Sequence, residues 1–216
     1  MKEQAFKLAP IFLDQSVFDR ELYKIDGHAW LGCCIKIDLL LDRLKMENQA
    51  PYIIFSDIDI LVKPGIYEKL KCYMDNGTSM VFLKEGEHLN IGFILLKVCP
   101  EVVAFWELVK ARMVENPQHD QKYVNQMIGE YPGTWTTLDK KDFVCSNEWD
   151  GVSPYTVYQP LCSNLGKEFN VAEKLFYVAQ LGVDMEPYMK YVPGEIIPYI
   201  YRFQEIVARS HQKSAS

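Results

Sequence analysis

The chain has 216 residues, 49% of them hydrophobic, with 29 acidic against 23 basic side chains and a net charge of -6. That length buries one substantial core and predicts a single domain over 1–210, followed by a disordered polar tail at 211–216. The acidic balance and the lack of any Lys or Arg run exclude the footprint of a nucleic-acid binder. Met1-Lys2-Glu3-Gln4 opens polar, and the most apolar early window, 29–41, is broken by Lys36 and Asp38. Neither a signal peptide nor a membrane span is expected, which makes the cytoplasm the default compartment. Cys33, Cys34, Cys72, Cys99, Cys145 and Cys162 form no C-x-x-C pair and no zinc spacing with the histidines. They read as reduced core residues without a disulfide framework.

In chain order, Leu31, Cys34, Ile35, Ile37, Leu40, Leu41 and Leu44 recur at helical spacing and predict a helix over 30–44 packed on a sheet. The apolar run from Tyr52 then ends in two carboxylates, Asp57 and Asp59. Alternation along a strand places both on one side at its carboxyl end, where open α/β sheets bind ligands. A hard cation such as Mg²⁺ or Mn²⁺ relieves the repulsion between such acids and leaves positions for substrate phosphates. The same triplet is also the pattern of a solvated turn.

Lys63-Pro64-Gly65 predicts a turn, 66–74 a short helix stopped by Asp75-Asn76-Gly77, and 80–83 and 90–97 buried strands. Pro100 opens a helix over 101–115 that Asn116-Pro117 ends. Another helix starts near His119-Asp120-Gln121, with Asp120 a candidate N-cap, and Tyr131-Pro132-Gly133 closes it. Short strands follow at 135–138, 143–145 and 156–158, then helices at 171–181 and 199–209. Helices alternating with buried apolar strands, without a repeat period, predict an α/β fold: a three-layer α/β/α sandwich with a mainly parallel, mixed sheet.

FSDIDILVKPG, then NIGFILLK followed by a helix containing FW, then HDQKYVNQM stand in that order between residues 52 and 127. Together they resemble the nucleotide-diphospho-sugar transferases of the GT-A fold, the family-77-like group. The resemblance implies a GT-A-like fold, a nucleotide-diphosphate sugar donor, a Mn²⁺ or Mg²⁺ cofactor, and transfer, with retained configuration, to a hydroxyl of a glycan, protein or small-molecule acceptor. By motif position, Asp59 is the direct metal ligand and Asp57 touches the nucleotide ribose, or the metal through water. Asn90 hydrogen-bonds the donor sugar or the acceptor, and Gly92 lets the backbone approach closely. Asp120 and Gln121 face the sugar, Asp120 orienting its hydroxyls or stabilising the oxocarbenium-like charge. Gln159 stands where such enzymes carry a metal-binding His, and Lys174 is the candidate for the diphosphate.

Simpler roles compete: a turn for Asn90 and Gly92, a cap for Asp120, a solvated helix face for Lys174. Only 56 residues precede Asp57, of which 5–13 could supply a strand, so part of the usual amino-terminal nucleotide-binding half is trimmed or lacking. Two rivals stand beside the transferase. One is a non-catalytic nucleotide-sugar-binding pseudoenzyme; the other is a Mg²⁺-dependent phosphohydrolase of the haloacid dehalogenase type, which also places D-x-D after an apolar strand.

Overall fold

Leu40, Leu41 and Leu44, with Ile37, form the buried stripe of helix α1 (Leu31–Leu44), and this amphipathic spacing is what makes the segment a core-facing helix. The structure is a computed structural model describing residues 31–47, 50–57, 59–149, 153–161, 167–181, 194–195 and 197–201. Next come β1 (Tyr52–Ser56), the two-residue β2 (Leu61–Val62), α2 (Ile66–Asp75), β3 (Met80–Glu85) and β4 (His88–Lys97). They are followed by α3 (Pro100–Glu115), α4 (Asp120–Met127) running into a 3₁₀ turn at Ile128–Glu130, β5 (Trp135–Thr137), β6 (Phe143–Cys145), β7 (Val157–Gln159) and α5 (Lys167–Gln180). Pro100 occupies the first turn of α3, where its missing N–H leaves no bond unmade. The expected strand at 5–13 and the tail at 211–216 lie outside the described residues, as does most of the helix expected at 199–209, of which 199–201 belong to a helical stretch.

The main sheet runs β1-β4-β3-β5, and a second sheet runs β2-β7-β6. The α/β class holds and the sheet is mixed, but its balance differs from a mainly parallel one. Strand β4 is antiparallel to both β1 and β3, and only β5 adds a parallel pairing, to β3, among the described residues of this sheet. The reason is a tight hairpin. Glu85 pairs with His88 across Gly86-Glu87, and Gly86 sits at φ 56, a conformation glycine adopts without strain. Continuous apolar runs arise wherever a strand is covered on both faces, and here covered antiparallel strands carry them.

Alternation divides the sheet between two cores. Met80 and Phe82 of β3, with Leu89, Ile91, Ile94 and Leu96 of β4, pack under α1, α3 and α4 around Trp106. Val81 and Leu83, with Phe93 and Leu95, face the opposite side against Leu70 of α2 and Phe143 and Val157 of the small sheet. No helix among the described residues is long and apolar enough to cross a membrane.

Candidate active site

The site grows from an irregularity in β4. Its pairing with β3 jumps from Ile94, opposite Phe82, to Asn90, opposite Leu83, so Ile91, Gly92 and Phe93 bulge out of that ladder. Bulges of this kind bend a strand and re-aim its side chains. The Asn90 side chain stabilises the bulge from within: its Oδ1 accepts the Gly92 N–H at 2.7 Å, while its Nδ2 donates to Glu85 Oε2 at 2.7 Å. The Gly92 carbonyl in turn accepts the Asp57 N–H at 2.7 Å. Asp57 is therefore anchored to the bulge by its backbone.

Gly92 has a close neighbour. A Cβ there would lie 2.3 Å from Gln159 Nε2 and 2.8 Å from its Cδ, so a side chain at position 92 would push the end of Gln159 aside. Gln159 is buried, and its Oε1 has no hydrogen-bond partner among the described residues. A buried unpaired carbonyl is costly, and a cation or a donor on a ligand would satisfy it.

Strand β1 ends at Ser56, so Asp57 and Asp59 lie beyond it and strand alternation does not aim them as the sequence suggests. A lysine holds each instead. Lys36 Nζ of α1 lies 2.8 Å from Asp57 Oδ1, with side chains 18% and 36% exposed, and Lys174 of α5 pairs with Asp59 Oδ2. Burial pushes the Asp57 carboxyl above its ordinary range; Lys36 opposes that rise, while Asp59 and Asp120 add to it.

Helix α4 supplies the opposite wall. Its N-cap is His119 in an extended conformation, and Asp120 is the first helical residue, which corrects the expected capping position. Asp120 Oδ1 accepts the Gln121 N–H at 2.9 Å, and its buried Oδ2 has no hydrogen-bond partner among the described residues. The carboxylate sits in the first turn of the helix. Gln121 Oε1 accepts the Ile91 N–H at 3.2 Å, tying the helix to the bulge. One turn on, Asn125 completes the docking: its Oδ1 accepts the Leu89 N–H and its Nδ2 donates to the Leu89 carbonyl, both at 2.8 Å.

Asp57, Asn90, Gly92, Asp120, Gln121 and Gln159 are thus linked through one strand bulge, while Asp59 and Lys174 pair with each other. Sequence spacing does not single out Lys36 or Asn125. Asn125 has a readable signal, four residues after Gln121 on the same helical face, whereas Lys36 looks like any polar position of an amphipathic helix. A cavity of about 260 Å³ between α3 and α4, lined by Arg112, Glu115, Asn116, Tyr123, Gln126 and Met127, includes none of the candidate residues.

No three-membered group of His, Cys, Asp or Glu suited to a metal occurs among the described residues. Asp57, Asp59 and Gln159 offer only hard oxygens, the donor chemistry that would suit Mg²⁺ or Mn²⁺ with substrate phosphates completing the shell.

No family model and no curated protein matches the chain. Among solved structures it is similar to mouse xyloside xylosyltransferase 1 in its apo form, at 16% identity and a TM-score of 0.46, over 71% of this chain and 73% of that one. A likeness of that depth leaves the reading of the site to its own side chains.

Proposed function

We propose that this chain is a glycosyltransferase, one GT-A-like unit that moves a sugar from a nucleoside-diphosphate sugar to an acceptor hydroxyl with Mn²⁺ or Mg²⁺. The observation that carries the reading is the pair of buried, unpartnered oxygens, Asp120 Oδ2 and Gln159 Oε1, flanking a bulge that also anchors Asp57. Sugar hydroxyls and a hard cation are ligands that satisfy such acceptors.

In this reading Asp57, Asp59 and Gln159 hold the cation. When bound, it offsets the negative charge that builds on the diphosphate as the sugar–phosphate bond breaks. The electron pair of that bond leaves with the diphosphate, and the acceptor oxygen forms the new bond at the anomeric carbon as its proton passes to an oxygen of the departing diphosphate. Asp120 accepts a hydrogen bond from a sugar hydroxyl through Oδ2 and faces the positive charge developing on the ring. Asn90 and Gln121, committed through one atom each to the bulge backbone, fix the wall against which the sugar lies. Lys174, which pairs with Asp59, turns to meet the diphosphate in this reading. Retention of configuration follows the resemblance.

The test is a melting-temperature screen with UDP, GDP, CDP and ADP, each with and without Mn²⁺, since a ligand bound only by the folded chain raises its melting point. One nucleotide is expected to stabilise the protein in a metal-dependent way, and Asp59→Asn to abolish the metal-dependent part. Asp120→Asn is expected to keep the melting temperature and reduce donor turnover on the order of a hundredfold or more. Metal-dependent nucleotide binding without donor hydrolysis or transfer would favour the pseudoenzyme. Release of phosphate from an aryl phosphate without any sugar nucleotide would favour the phosphohydrolase.

A further inference from the structure

The two carboxylates assigned to the cation already have partners. Asp57 is neutralised by Lys36 from α1 and Asp59 by Lys174 from α5, so the four groups sum to no net charge. The lysines come from helices on opposite sides of the chain's middle, and neither pair is a fully solvated surface contact. Lys36 is 18% exposed and lies between Ile35 and Ile37, both buried, so the helix holds its ammonium toward the site.

Resting on the transferase reading above, we propose that Lys36 and Lys174 are resident counter-ions that a divalent cation must displace, so that the site takes metal and diphosphate together and holds metal alone poorly. A bare cation adds two positive charges beside two carboxylates that are already paired and leaves both ammonium groups next to it. A diphosphate brings compensating negative charge and gives the displaced ammonium groups an anion to face. An ammonium a few ångströms from a divalent ion repels it appreciably even at the dielectric of bulk water, and dissolved salt screens part of that repulsion. Each lysine therefore weakens the binding of metal alone on the order of tenfold. Lysine suits this exchange because its charge is compact and its stem has several rotatable bonds, so it can withdraw without moving its helix.

The experiment is a titration of Mn²⁺ followed by the spin-resonance signal of the free ion, on the wild-type chain, Lys36→Gln, Lys174→Gln and Lys36→Arg, each with and without inorganic pyrophosphate. Unfolding midpoints by circular dichroism show which variants fold. In the wild type, pyrophosphate is expected to raise Mn²⁺ affinity at least about tenfold; an enhancement near unity overturns the proposal without any variant. Each Gln variant is expected to bind Mn²⁺ alone on the order of tenfold more tightly than wild type, and to gain less from pyrophosphate. Lys36→Arg, which keeps the charge, should stay close to wild type. Gln variants that bind Mn²⁺ alone no more tightly, while pyrophosphate still recruits it to the wild type, would sink the counter-ion role and leave the site reading standing. If the wild type takes up no Mn²⁺ with pyrophosphate or with any of the four nucleoside diphosphates, the metal reading fails and this inference with it.

Discussion

Cys145 closes β6, buried with its Sγ 3.6 Å from the Lys84 carbonyl, and burial pushes its thiol from the ordinary 9.0 up to about 12. Nearby Glu85 and Glu148 act in the same direction. The folded chain therefore keeps this proton where the unfolded chain loses it. The stability the thiol contributes is complete below about pH 9 and is lost as pH rises toward 12. A disulfide reagent at pH 8, followed by peptide mapping, is expected to modify exposed Cys72 in the native protein and Cys145 only after denaturation. Native labelling of Cys145 at that pH would contradict its burial. At this scale the acids were the legible part of the site. Asp57 and Asp59 interrupt an apolar run, and that contrast is local. Lys36 was not legible, because its value lies in which carboxylate α1 brings it beside, and that is decided by packing between elements far apart in sequence.

Among the elements, β4 carries most of the candidate site's geometry. Before Gly92 its residues facing the Trp106 core are odd-numbered, Leu89 and Ile91; after it they are even-numbered, Ile94 and Leu96. The bulge is thus a change of phase. Sequence patterning finds the strand, and the family resemblance alone makes Gly92 a point of close approach, but a strand apolar on both faces hides a phase change. The hairpin that makes β3 and β4 antiparallel was hidden for another reason, since Glu85-Gly86-Glu87-His88 reads as any polar loop. The existence of helices α1 to α5 was legible, from apolar spacing and from Pro and Gly at their ends. Gly92→Ala drives a methyl into the Gln159 amide, the far end of a flexible side chain that can shift. The substitution is expected to cost about 1–3 kcal/mol in urea unfolding. Most of that cost should vanish in Gly92→Ala combined with Gln159→Ala, because the methyl then enters vacated space. Additive losses in that cycle would show that the two positions do not touch.

Over the whole molecule, a single sheet is shared by two apolar cores, one around Trp106 and one around Phe93 and Phe143. Because adjacent residues of β3 and β4 serve opposite cores, neither can lose its packing without exposing the backs of the other's strands. Trp106→Ala and Phe93→Ala, one in each core, are each expected to cost about 3–5 kcal/mol. Each should shift the same single transition, with coincident midpoints by far-ultraviolet dichroism and tryptophan fluorescence. Separate midpoints would mean that the cores melt independently. The layered plan was legible because it follows from alternating element types, whereas the sheet's strand order and directions depend on turns that composition does not specify. The phase change in β4 has a consequence for reading related chains. From Phe93 onward each residue's destination is fixed by parity, so gain or loss of one residue there would exchange the contents of the two cores, while the Gly86-Glu87 turn can absorb a change of length. This strand is therefore a ruler: distant homologues can be placed against it by counting odd and even positions after the glycine, even where no letters agree.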